Sequence, residues 1–148
     1  MVLSKSRCRL EYPAQGQILK RFGDDDGRGS TLRGLAVATR NDAQVTAPID
    51  GKVEFAGPFR SYGQLLILNA GEGYLVLMAG MNEISADMGQ SIRAGEPVGK
   101  MGEGPSSVTL LGDAVQEPRP VLYVEFRKDG EAVDSAPWWI GGMKEARK

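Results

Sequence analysis

The sequence predicts a mainly β, single-domain fold built from antiparallel sheet, and three observations carry that prediction. Glycine occurs 20 times and proline 8 times, scattered between short apolar runs, as turns punctuate many brief strands. The runs either alternate or stay apolar over strand-like lengths. The chain of 148 residues suits one domain with one substantial core. Taken in order, strands are expected at 16–22, 34–38, 44–46, 51–56, 64–69, 74–79, 98–101 and 121–127. Only 81–88 has the spacing of a helical turn or short helix. The segment GEGPSSVTLLGDAVQEPRP at 102–120 reads as a loop by composition. The organisation is then an N-terminal extension or boundary at 1–15, a folded domain at 16–140, and a polar tail at 141–148.

Charge narrows the function classes. Lys plus Arg is 18 and Asp plus Glu 19, a net charge of -1, which gives no basic footprint for nucleic acid. There is no histidine and a single cysteine, Cys8. The usual zinc ligands, the neutral-pH general base and an internal disulfide are therefore missing together, and a thiol protease has no partner histidine. The opening MVLSKSRCRL lacks the apolar stretch of a secretory signal. Taken literally the chain is cytoplasmic; equally, the opening is a boundary upstream of a domain from a longer precursor, and both readings stand.

Several motifs follow one another in a fixed order: LRGLA at 32–36, DAQVTAPIDGKVEFAG at 42–57, YGQLLIL at 62–68, GYLVLMAGM at 73–81, MGQSIRAGEPVG at 88–99 and VLYVEFR at 121–127. This succession resembles the LytM or lysostaphin-type zinc metallopeptidases, enzymes of a duplicated hybrid-motif β fold that cut peptide bonds in bacterial cell-wall peptidoglycan. The resemblance places the family's three zinc ligands at Leu32, Ala36 and Tyr123, and its other histidines at Gly80 and Val121. Apart from the phenol of Tyr123, these side chains offer no lone pair to a metal. Without zinc the attacking hydroxide is lost with the Lewis acid. The expectation is a domain with no metal, no cofactor and no catalysis.

Strand parity shapes what replaces the metal. In VLYVEFR, Leu122, Val124 and Phe126 share one face, expected to be core, while Val121, Tyr123, Glu125 and Arg127 share the other. The pattern, with QILKRFGDDDGRGSTLRGLAV before it and GEAVDSAPWW after, is similar to the EnvC-type murein hydrolase activators. These are degenerate LytM domains that switch on cell-wall amidases. By that resemblance a partner-binding groove is carried over to Arg33, Ala36, Tyr62, Leu65, Met78, Tyr123 and Arg127. The implied partner is an amidase, with peptidoglycan and a membrane division complex, through an upstream region, as further implied contacts. The implied location of the full-length protein is the periplasm.

Other classes remain open. A wall-binding module without activation would use the same groove. A cryptic hydrolase would pair Glu54 with Glu125 across a cleft. A biotinyl or lipoyl carrier would present Lys52 or Lys100, since TAPIDGKVEFAG echoes IRAGEPVGKMG. The run Asp24, Asp25, Asp26, Gly27 lacks the alternation of a calcium loop and reads as a solvated turn. Trp138 and Trp139 are expected to pin the C-terminal strand to the barrel.

Overall fold

The computed structural model describes residues 9–25, 29–59, 62–105 and 117–140. Their strands are β1 (Gln17–Lys20), β2 (Leu35–Ala38), β3 (Gln44–Thr46), β4 (Gly51–Phe59), β5 (Gly63–Gly71), β6 (Tyr74–Met81), β7 (Glu83–Ile84), β8 (Ser91–Ile92), β9 (Pro97–Lys100), β10 (Val121–Lys128) and β11 (Glu131–Val133). A 3-10 turn at Ala136–Trp138 follows. All strand pairings are antiparallel, in one large sheet ordered β1-β2-β10-β6-β5-β4-β8 with β11 on β10, and a small sheet β3-β9-β7. The expected mainly β, antiparallel architecture is what the chain adopts.

Period-two alternation explains the layers. Leu35 and Val37 of β2, Val76 and Met78 of β6, Leu66 and Leu68 of β5, and Leu122, Val124 and Phe126 of β10 enter one core, which also takes Val45, Ile84 and Val98 from the small sheet. The alternate residues Ala36, Leu65, Leu77, Ala79, Val121 and Tyr123 form a second cluster on the opposite face of the large sheet, joined by Leu32. The small sheet covers the first face, and the second face carries the site described below.

Two hairpins have the turn chemistry their sequences call for. Glu72 and Gly73 (φ 57° and 83°) join β5 to β6, and Asp129 and Gly130 (φ 51° and 89°) join β10 to β11. Paired positive φ values match the twist of antiparallel strands, and an acidic residue followed by glycine tolerates them. The segment expected as a helical turn at 81–88 instead contains β7, where Glu83 and Ile84 pair with Lys100 and Gly99. Tertiary pairing overrides the local spacing there.

Residues 10–14 are not peripheral. Leu10 and Ala14 belong to the main core, and the Leu10 amide donates to Trp138 O at 2.9 Å. Tyr12 stacks on Trp139 with ring centroids 4.6 Å apart. Packing thus reaches N-terminal of Gly16. Both tryptophans are buried, and the Trp139 indole donates to Ser135 Oγ at 2.9 Å, so they pin the C-terminal segment as expected. Lys52 and Lys100 lie inside β4 and β9, paired with Asn69 and with Gln44 and Glu83. Neither occupies the hairpin tip a carrier lysine needs. Cys8, Asp26, Gly27, residues 106–116 of the expected loop, and the tail at 141–148 lie outside the described residues.

Candidate functional site

A cavity of about 570 Å³ opens on the second face, lined by residues 29–33 together with Tyr62, Tyr123, Glu125 and Arg127. Strand β10 supplies the floor, because Tyr123, Glu125 and Arg127 alternate with the core residues of the same strand. The arm 29–33 forms one wall. It is held by the Leu32 amide donating to Asp24 O at 2.7 Å and the Gly23 amide donating to Leu32 O at 2.9 Å. Asp24 closes that turn by accepting the Arg21 amide at 2.8 Å. Since β2 begins only at Leu35, strand alternation does not apply to the arm, and Leu32 and Arg33 both reach the cavity despite their adjacent positions.

Gly34 explains how the arm meets the floor. A Cβ there would lie 2.4 Å from Val124 O and 2.8 Å from Cζ and Oη of Tyr123, so only glycine lets the backbone approach this closely.

Glu125 is the hub of the floor. It is 1% exposed, and both carboxylate oxygens are occupied. Tyr123 Oη donates to Oε1 at 2.6 Å, and Arg127 Nε donates to Oε2 at 2.5 Å. Arg127 then reaches Tyr62, donating from Nη2 to the phenol oxygen at 3.3 Å. No buried side-chain nitrogen or oxygen lacks a partner among the described residues, as a closed polar network requires. Burial pushes the Tyr123 hydroxyl far above the ordinary phenol range, and the Glu125 charge and hydrogen bond add to it. Tyr62 is raised for the same first reason and by Glu125, with Arg127 opposing. Burial works against the charge on Arg127, and the carboxylate of Glu125 outweighs it.

From Tyr62 and Tyr123, which line the cavity, an aromatic run leads outward in steps. Tyr62 lies 6.3 Å from Tyr123, Phe59 lies 6.2 Å from Tyr62, and Phe55 meets Phe59 edge-on at 5.6 Å. Phe59 is 42% exposed. This run was not anticipated, because it depends on how the β4–β5 hairpin folds over the sheet. The aromatic residues flanking the motif YGQLLIL were its only sequence signal.

Of the groove residues expected from the sequence, Arg33, Tyr62, Tyr123 and Arg127 come together around the cavity. Ala36 and Leu65 lie in the buried cluster beneath it. Met78 does not belong to this face. It pairs with Val124 and Leu66, both core residues, and is itself completely buried in the main core. Tyr123 is also corrected in character: its ring is buried at 0% exposure, so it supports the floor rather than offering a contact surface. Glu54 is exposed on β4 and accepts from Asn69 at 2.9 Å. It does not line the cavity, so the two carboxylates considered for glycan cleavage are not brought together there.

At the positions where the resemblance puts zinc ligands, Leu32 and Ala36 are hydrocarbon, and the Tyr123 phenol is neutral and committed to Glu125. Gly80 sits at φ 103° in a bulge opposite Gln64 and Leu65, a backbone conformation that strains any L side chain. This donor set does not fit zinc, and among the described residues no three His, Cys, Asp or Glu side chains converge.

The model of peptidase family M23 matches residues 30–135. The chain belongs to the M23 peptidase family. Within that family it is similar to the murein hydrolase activator EnvC of Escherichia coli K12, at 27% identity over 136 residues, covering 92% of this chain and 30% of EnvC. It is also similar to the murein hydrolase activator NlpD of the same strain, at 29% over 124 residues, covering 83% of this chain and 29% of NlpD. The chain thus spans about 30% of the length of these curated relatives. A solved zinc-containing peptidase from Vibrio cholerae shares the M23 fold with a TM-score of 0.68 at 21% identity, covering 85% of this chain and 39% of that one.

Proposed function

We propose that this M23 domain is a non-catalytic activator of peptidoglycan amidases of the N-acetylmuramoyl-L-alanine class, acting in cell-wall remodelling and cell separation. One observation carries the proposal: the ligand positions of the fold are filled by a packed apolar cluster and a closed Tyr123–Glu125–Arg127–Tyr62 network. A floor so occupied has no donor set for a hydrolytic metal, yet it presents a shaped cavity edged by tyrosine and arginine, residues that anchor protein interfaces. The names of EnvC and NlpD as murein hydrolase activators support the same reading, and with it an envelope location and an amidase as partner. In this reading the cavity takes up a regulatory segment of the amidase and frees the partner's own active site. The shift is set by the domain's greater affinity for the open amidase.

The test is dye release from labelled peptidoglycan by the domain alone, a cognate amidase alone, and both together. Stimulation confined to the mixture is expected. Release by the domain alone, or an amidase rate indifferent to it, overturns the proposal.

A further inference from the structure

The charges around the cavity are unevenly used. Arg127 has five N–H donors, of which Nε serves Glu125 and one on Nη2 serves Tyr62. Its other Nη hydrogens meet no acceptor among the described residues, and its side chain is 34% exposed. Arg33 is exposed on the facing arm and has no ion pair among the described residues. Among the described residues Glu125 is the only carboxylate lining the cavity, and it is buried with both oxygens engaged. Among the described lining residues Glu125 offsets Arg127, and Arg33 leaves one net positive charge. The Nη edge of an arginine fixed at its Nε is preorganised to grip a carboxylate with two parallel bonds. From Tyr62, which Arg127 contacts, the aromatic run leads to exposed Phe59, which suits an apolar side chain.

We propose that Arg127 and Arg33 form an anion subsite that captures one Asp or Glu side chain of the partner's regulatory segment, with an apolar neighbour of that residue seated on Phe59. The subsite rests on the activator reading above and specifies the chemistry of the segment it would bind. A protein segment fits better than a wall peptide because the aromatic run extends the contact beyond the anion. The uncompensated guanidinium disfavours a basic segment.

The experiment measures binding of intact cognate amidase to the domain by calorimetry, at about 50 and 300 mM NaCl, alongside the stimulation assay. Arg127→Lys, which keeps the charge but loses the planar fork, is expected to weaken binding about tenfold. The exposed Arg33→Glu should weaken it at least as much, and salt should weaken the wild type. Each Asp and Glu of the amidase's regulatory segment is then changed to Lys. One such variant should bind the wild-type domain poorly and recover with Arg33→Glu. If the amidase binds and is stimulated but no carboxylate shows this coupling, or Arg127→Lys binds as well as wild type, the inference fails and the activator reading stands. If the wild-type domain neither binds nor stimulates the amidase, both fall. Arginine-dependent binding of soluble muropeptides in place of amidase would also overturn the inference.

Discussion

Replacing Glu125 is the most direct probe of the floor. The residue is 1% exposed and accepts from both Tyr123 and Arg127. Glu125→Ala therefore leaves a phenol hydrogen without an acceptor and a guanidinium without its counter-charge. Removing one partner of a buried ion pair costs about 3–5 kcal/mol. Arg127 is a third exposed and recovers some hydration, so the lower end applies, about 3 kcal/mol. For a chain of this length that lowers Tm by roughly 6–12 °C. Glu125→Gln keeps volume and one acceptor and should cost about half as much. The diagnostic variant is the double replacement Glu125→Leu with Arg127→Leu. It removes both charges and should be more stable than Glu125→Leu alone, since an apolar pair no longer strands a cation. Urea unfolding of the three Glu125 variants, of Arg127→Leu alone and of the double gives the free energies. A Glu125→Ala domain within about 0.5 kcal/mol of wild type, or strict additivity in the leucine cycle, would refute the network.

Gly34→Ala should destabilise by about 1–3 kcal/mol, because its Cβ meets Val124 O at 2.4 Å and backbone cannot yield; equilibrium unfolding gives the cost, and NMR of the Tyr123 ring should report its displacement. Tyr123 and Tyr62 both have raised values in the fold, so their contribution is complete below the unfolded phenol value near 10 and declines as pH rises beyond it, by up to about 1.4 kcal/mol per pH unit for Tyr123 and by less for the half-buried, solvent-screened Tyr62. Tyr123→Phe should remove one tyrosine's share of that slope in unfolding measurements between about pH 10 and 11.5. Asp50 is lowered first by the Ala94 amide, which donates to it at 2.7 Å; its contribution is present above the unfolded value near 3.8 and lost as pH falls through the folded one. Asp50→Asn should cost under about 1 kcal/mol at pH 7, with the difference closing towards about pH 2–3 in acid titrations.

Strand positions were legible because alternation and glycine punctuation are local. Each of the eight expected strands overlaps an observed one, and VLYVEFR divides between the two faces as its parity requires. What was missed depends on contacts distant in sequence or on strands too short to show a period. The residues 83–84 pair with β9 rather than coiling. Strand β8 is two residues long, too short for a periodic signal. Strand β11 had a local cue in Asp129-Gly130, the turn that returns the chain onto β10. Met78 shows why parity must be counted along each strand separately: Leu77 and Ala79 face the site, and Met78 faces the core with Val76.

The site was legible as a substitution pattern but not as an energetic arrangement. The resemblance places the family's ligand positions at Leu32, Ala36 and Tyr123, of which only the Tyr123 phenol could offer a metal a lone pair. It does not reveal that Glu125, two residues beyond Tyr123 on the same face, joins the phenol to Arg127 and through it to Tyr62 at the start of β5. A zinc ion in this fold would tie the arm before β2 to β10. Here Leu32 and Ala36 pack against Tyr123 on one side, and the ionic network extends from β10 towards the β4–β5 hairpin on the other. Among the described residues, side-chain contacts therefore hold the arm and the floor together at this locus. The charge that remains outward among the described lining residues belongs to arginine, a feature on which the proposed activator role rests.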